Sequence, residues 1–310
     1  MSILKFKNLT IGYKSPLIRN INIKTHLGEV VLMVGDNGIG KTTLIKSILK
    51  QISLLEGRIE INNTSIDKLD HQAIAQMVSV VLSKYQLPEH YTTKDLIALG
   101  KYIHYPYYFK LTQQDAQEIN HIISQLGLSS YADKKLSQLS DGNLQKAFIG
   151  RAIAQNTPII ILDEPTTHLD EKNKIAILKL LRQLAKEQNK LIIFSSHNWR
   201  LAQQYADQLW WLHSGRLHHG LVEDMLLTHP ELQNNHTIQP PQKLKLPTID
   251  APELHKKTLI ALLEKHFNQD LSYYQIQYQA TQWCINTEGK IQVFNNLESL
   301  LNEIKTSMLN

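Results

Sequence analysis

Val30-Val31-Leu32-Met33-Val34-Gly35-Asp36-Asn37-Gly38-Ile39-Gly40-Lys41-Thr42 is the stretch that decides the fold. A strand-length apolar run enters an octet of the form G-x-x-x-x-G-K-[ST], and Thr42 to Lys50 then carries Leu44, Ile45, Ile48 and Leu49 at helical spacing. A strand without polar alternation is one buried on both faces. The glycines allow backbone N–H groups to turn inward around phosphate oxygens, and a helix beginning at Lys41 adds its positive end. Lys41 is placed to reach β- and γ-phosphates, and the Thr42 hydroxyl to hold Mg²⁺. Gly35, Asp36, Asn37, Gly38, Ile39, Gly40, Lys41, Thr42 and Thr43 are therefore the candidate nucleotide contacts.

Further along, Ile159-Ile160-Ile161-Leu162-Asp163-Glu164 is an apolar strand that delivers adjacent carboxylates to its C-terminal edge, where open α/β sheets bind ligands. With a phosphate loop upstream, Asp163 reads as the carboxylate that orients Mg²⁺ and Glu164 as the general base for an attacking water. Leu191-Ile192-Ile193-Phe194 is a third buried strand, followed by Ser195-Ser196-His197, and a helix from Lys174 to Lys186 lies between the two. That order is βαβ grammar and predicts a parallel sheet.

Residues 3 to 34 read as short alternating segments, and the stretch from about 70 to 155 as mainly helical, with Ala116, Ile119, Ile122, Ile123 and Leu126 on one stripe. A polar, proline-broken run, Asn234 to Lys243, reads as a linker. Beyond it the pattern predicts a helix from Pro252 to Phe267, a strand near Tyr274 to Tyr278, a hairpin from Trp283 to Phe294 turning at Glu288-Gly289, and a helix from Leu297 to Met308. His255, His266, Asp270 and Cys284 lack metal-ligand spacing and read as structural, with Trp283 and Phe294 as core. The domains expected are 1–228, with a helical subdomain at about 83–155, a linker at 229–248 and a small α+β domain at 249–310.

Composition narrows the class. The chain has 310 residues, 42% hydrophobic and 20% charged, the balance of a globular protein rather than a disordered one. Its apolar runs fall far short of the roughly 20 residues that a membrane helix needs, and charges at Lys5 and Lys7 interrupt any signal-like stretch at the N-terminus. The expectation is a cytoplasmic protein. Cys284 is the single cysteine, which excludes an internal disulfide and a cysteine metal cage. The charge of +5 is compatible with nucleic acid, an anionic leaflet or a phosphorylated ligand.

Leu139-Ser140-Asp141-Gly142-Asn143-Leu144-Gln145-Lys146, just ahead of the acidic strand, resembles the L-S-G-G-Q signature of ABC-type nucleotide-binding subunits. Over residues 1 to about 225 the chain is similar to that family. The resemblance implies an α/β P-loop NTPase core with a mainly parallel sheet and an inserted helical subdomain, followed here by a small C-terminal α+β domain. It implies ATP and Mg²⁺ as ligands, and a second copy whose Ser140 and Gly142 act in trans on the nucleotide. Tyr13 matches the residue that stacks on adenine, Thr167-His168-Leu169-Asp170 the dimer-contacting loop, and His197 the switch histidine beside the γ-phosphate. Asp141 and Asn143 depart from the signature. Where the family has Pro-Gln, this chain has Ser83-Lys84, with Gln86 two residues on; lysine cannot accept a water hydrogen bond as glutamine does.

Tyr91 to Tyr102, followed by Tyr105-Pro106-Tyr107-Tyr108-Phe109, and Ala154 to Pro158 are similar to segments of the importers for iron–siderophores, haem or cobalamin. That branch implies an integral membrane permease, a substrate-binding protein engaged indirectly, and a peripheral position on the inner face of the membrane. The aromatic residues then read either as docking anchors or as packing of the subdomain. A soluble ABC ATPase acting as an assembly scaffold is the alternative. Nucleic acid is not an expected partner, because neither two nucleotide domains nor a long coiled coil is present.

Overall fold

The computed structural model describes residues 2–83, 90–105, 110–167, 169–196, 199–229, 232, 246–267, 271–287 and 290–307. They form two compact units, residues 1–219 and 220–310.

The first unit opens with β1 (Ser2–Gly12) and β2 (Pro16–His26), which pair antiparallel. In β2, buried Ile21, Ile23 and Thr25 alternate with exposed Asn20, Asn22 and Lys24, so one face is core and the other solvent. After β3 (Val30–Val34) and α1 (Lys41–Ile48), β4 (Glu56–Ile61) and β5 (Thr64–Ser65) complete a four-stranded sheet of order β2-β1-β4-β5. Reading residues 3 to 34 as short segments underestimates these strands. Asn8 and Asn20 take positive φ, 46° and 52°, and the β1–β2 register shifts beside them, which breaks the period-2 pattern inside one continuous ribbon.

Next come α2 (His71–Met77), β6 (Val78–Val81), α3 (Thr93–Ala98), α4 (Gln113–Gln125), α5 (Asp141–Ala154), β7 (Ile159–Leu162), α6 (Glu171–Gln188), β8 (Leu191–Ser195), α7 (Trp199–Ala202), β9 (Gln208–His213) and β10 (Arg216–Leu221). Strands β3, β7 and β8 are buried at every residue. The second sheet has the order β10-β9-β3-β8-β7-β6, and β9, β3, β8, β7 and β6 run parallel. This order places the C-terminal ends of β3, β7 and β8 side by side. The two sheets share one core around α1, in which Phe6 meets Trp210 at 5.5 Å between ring centroids.

The helical part starts cleanly because its caps are encoded. Thr92 with Asp95 and Thr112 with Asp115 form capping boxes on α3 and α4. At Gly150 a Cβ would lie 2.8 Å from Leu126 and 2.9 Å from Ile97, so glycine is what lets α5 approach its neighbours.

The second unit contains α8 (Val222–Thr228), β11 (Thr248–Asp250), α9 (Glu253–His266), β12 (Gln275–Gln279), β13 (Gln282–Thr287), β14 (Lys290–Phe294) and α10 (Leu297–Ser307). Its sheet has the order β11-β12-β13-β14, with β11 parallel to β12 and the rest antiparallel. Leu259, Leu262, Leu263, Ile276, Trp283, Ile285, Leu300 and Ile304 form its core, and Phe294 packs against it. The sequence reading puts residues 222–228 with the first domain, whereas α8 belongs to the second. Leu227 packs on that core, Glu223 pairs with Lys265 at 2.9 Å, and Asp224 accepts from the first N–H groups of α10. The turn at Glu288-Gly289, Asp270 and the run Asn234 to Lys243 lie outside the described residues.

Candidate functional site

The octet closes β3 and opens α1. Gly35, Gly38 and Gly40 take φ of 152°, 78° and 120°, and at Gly35 a Cβ would lie 2.7 Å from the Leu212 carbonyl oxygen. Asp36, Asn37 and Gly38 are exposed at the loop's tip, Ile39 is half-buried, and Thr43 is buried on α1. Lys41 is buried, and its Nζ donates to the Gly35 carbonyl at 2.6 Å and the Asp36 carbonyl at 3.0 Å. Burial pulls the Lys41 pKa down, while Glu164, Asp163 and Asp36 oppose that pull. A triphosphate would add further negative charge beside this ammonium and offset the cost of its burial.

Asp163 leaves the end of β7 still held by its neighbour, its N–H donating to the Val81 carbonyl at 2.8 Å. Its carboxylate is buried among hydroxyls: Ser195 Oγ donates to Oδ1 at 2.7 Å, and Thr42 Oγ1 and Ser83 Oγ donate to Oδ2 at 3.3 and 3.4 Å. The Thr42 hydroxyl and the Asp163 carboxylate are hard oxygen donors of the kind that Mg²⁺ prefers, so these two residues fit that ion. Glu164 turns away from the strand at φ 56°, a left-handed conformation that costs a non-glycine residue about 1–2 kcal/mol. Its N–H donates to Ser195 Oγ at 2.9 Å, and its Oε2 accepts from the Thr167 hydroxyl at 3.2 Å. Sequence reasoning missed Ser195 as a partner of both acids, and it read Thr167 only as part of the dimer-contacting loop, not as a partner of Glu164. Only the hydroxyls closing or following apolar strands signalled them.

Ser140 caps α5, its Oγ accepting from Asn143 N–H at 3.4 Å, and Asp141 is the first residue of the helix. A carboxylate there favours the helix itself through the N-terminal dipole, which gives Asp141 a local role at the departed signature position. Asp170 caps α6, accepting from Asn173 N–H at 2.7 Å and from its side-chain amide at 2.9 Å. Those bonds, the backbone one first, hold the Asp170 pKa below the usual carboxylate range. The Asn173 amide lies against Gly142, where a Cβ would approach it to 3.3 Å. Tyr13 stands 59% exposed beyond the end of β1. The structure thus brings Lys41, Thr42, Asp163 and Glu164 together. Lys84, Gln86, His168 and His197 lie outside the described residues, as do Pro106, Tyr107, Tyr108 and Phe109.

In the aromatic segment, Tyr105 is committed inside the chain. Its hydroxyl donates to Asp115, which the Thr112 and Tyr105 hydroxyls hold down at a pKa of about 2. Tyr102 is exposed.

A glycine loop on a helix N-terminus, facing an acidic strand end in a parallel sheet, defines a P-loop nucleoside-triphosphate-binding protein. The ABC transporter family profile matches residues 18–167. The achromobactin transport ATP-binding protein CbrD of Dickeya dadantii is 34% identical over 215 residues, covering 69% of this chain and 80% of that one. The petrobactin import ATP-binding protein YclP of Bacillus subtilis is 33% identical over 228 residues, 73% of this chain and 89% of its own. Among solved structures, a dimeric ATP-binding cassette with bound ADP and Pi aligns with TM-score 0.63 at 26% identity, over 71% of this chain and 99% of that one. A second, cbiO1 of Clostridium perfringens, aligns with TM-score 0.66 at 25% identity, over 74% of this chain and 92% of its own. The chain belongs to the ABC transporter ATP-binding proteins, and it is an ATP-binding, ATP-hydrolysing cassette.

Proposed function

We propose that this cassette powers import of an iron chelate, of the siderophore kind, through a membrane permease. The observation that carries the chemistry is the convergence of Lys41, Thr42, Asp163 and Glu164 at the ends of β3 and β7. Lys41 leaves its loop carbonyls for the β- and γ-phosphates, with loop N–H groups around them. Thr42 and Asp163 would hold Mg²⁺, which would supply positive charge to offset that of the phosphates. Glu164 takes the proton of the attacking water, and His197 steadies the γ-phosphate. Tyr13 stacks on the adenine. Ser140 and Gly142 come from a second copy, and Asp170 orders the loop between the two copies.

The substrate class rests on the relatives, whose names include petrobactin import, iron(3+)-hydroxamate import and a probable siderophore transport system. Among the described residues no helix is long and apolar enough to cross a membrane. A cavity of about 350 Å³ lined by His71, Ile74, Leu99, Gly100, Arg151 and Gln155, in the same helical region as exposed Tyr102, offers that permease a seat.

Glu164→Gln keeps shape and hydrogen bonding but removes the base. It is expected to bind ATP at parental affinity while turnover falls by about 100-fold or more, and with ATP to migrate as a dimer in size-exclusion chromatography. Affinity purification of that variant from gently solubilised host membranes should bring down a polytopic membrane protein in near-equal amount. Retained turnover rejects the base, and recovery from the soluble fraction without a membrane partner rejects the importer in favour of a scaffold.

A further inference from the structure

Ser195 is a fully buried hydroxyl to which the proposed mechanism gives no role. It uses both of its hydrogen-bonding capacities on successive residues, donating to Asp163 Oδ1 at 2.7 Å and accepting from Glu164 N–H at 2.9 Å. The parallel register explains why. Leu162 pairs with Phe194, which brings Ser195 level with Asp163, and Met33 pairs with Ser195 on the other side, so β8 is wedged between β3 and β7 and its last hydroxyl has little freedom to move. The Glu164 N–H belongs to the residue that departs from strand geometry at φ 56°. A bond to that N–H favours the turned conformation over continuation of the strand. The bond to Asp163 Oδ1 leaves Oδ2 facing Thr42 and Ser83.

We infer that Ser195 is a positioning residue that sets both acidic side chains at once, holding the Asp163 carboxylate toward Thr42 and locking Glu164 in the turn from which it reaches the nucleotide. It works through its neighbours and touches neither nucleotide nor metal. The inference rests on Glu164 being the base. A purely structural Ser195 would cost stability when lost and leave the balance of kcat and KM untouched.

The test uses the full chain carrying Ser195→Ala, Ser195→Thr or Ser195→Val, beside Glu164→Gln. Threonine and valine match in shape and differ only in the hydroxyl. In the alanine variant kcat is expected to fall about 10- to 100-fold, the usual cost of losing an outer-shell partner, with KM for ATP and melting temperature near parental. Threonine should recover most of the turnover, and valine should not. A fluorescent ATP analogue should bind as in the parent without magnesium, while the magnesium concentration that tightens its binding rises in the alanine and valine variants. Parental kcat in the alanine variant, or equal turnover in the threonine and valine variants, overturns the inference. Should the alanine variant melt below the assay temperature, the threonine and valine pair decides. If Glu164→Gln itself keeps turnover, the assignment of the base fails whatever Ser195 does. If Glu164→Gln loses turnover and Ser195→Ala does not, only the role of Ser195 fails.

Discussion

Tyr13 exposes most of a large ring to water, although aromatic surface is usually buried where it can be. It lies just beyond Gly12 at the end of β1, so it is carried by the antiparallel sheet rather than by the strands that hold Lys41 and Asp163. A base stacked on that ring gains about 1–3 kcal/mol, felt equally before and during phosphate cleavage. Tyr13→Ala is therefore expected to raise KM for ATP about 5- to 150-fold with kcat little changed, and Tyr13→Phe to behave as the parent. Steady-state kinetics over a range of ATP concentrations check this, and an unchanged KM in the alanine variant would remove Tyr13 from the base site. At this scale much of the site was legible. The glycines of the loop declare themselves because positive φ at Gly35, Gly38 and Gly40 demands them, and Asp163-Glu164 because a phosphate loop upstream gives carboxylates at a strand end a task that surface charge alone would not. The turn at Glu164 and its tie to Ser195 were not legible, since the βαβ pattern puts β8 in the same parallel sheet as β7 but does not give the register that brings Ser195 level with Asp163.

At the scale of elements, α8 shows what a short helix can contribute to a small unit. Asp224 accepts from Leu297 N–H at 2.7 Å and from Glu298 N–H at 3.0 Å, so it caps α10 from a distant part of the chain. Burial nevertheless pushes its pKa up to about 6, with Glu298 and Glu223 adding to the rise and the two N–H bonds opposing it. A carboxyl raised in the folded state favours folding when protonated. Its contribution is full below the unfolded value near 3.9 and is lost as pH rises through about 6. The melting temperature of the second unit relative to that of Asp224→Asn should thus decline between about pH 4 and pH 6, by on the order of 2–3 kcal/mol in stability, because asparagine does not titrate. Calorimetry of parent and variant across that window checks it, and a difference independent of pH would show that Asp224 does not titrate there. Most of the helices and the buried strands were readable from apolar periodicity, the long antiparallel pair β1 and β2 excepted. The assignment of α8 was not, because a seven-residue helix after the last strand of one unit carries no mark of the core it joins.

At the scale of the whole molecule, the chain divides after residue 219, and each part has its own apolar core. The linker composition near residue 234 suggested a second domain but misplaced its start, since the break in packing falls inside β10, where no proline or glycine run advertises it. Every nucleotide contact proposed above lies in the first part, and none in residues 220–310. A ligand stabilises only the cooperative unit that binds it, by about 2.7 kcal/mol at a concentration 100-fold above its Kd. For a unit of about 220 residues that amounts to roughly 5–10 °C. Differential scanning calorimetry of Glu164→Gln, chosen so that ATP is not consumed, is therefore expected to show one transition that climbs by this amount with ATP and magnesium and a second that stays in place. The stationary transition should be the one that responds to Asp224→Asn. A single transition shifted as a whole would mean that the two cores unfold as one body, and nucleotide binding would then be linked to the stability of the C-terminal unit despite that unit holding none of the contacts.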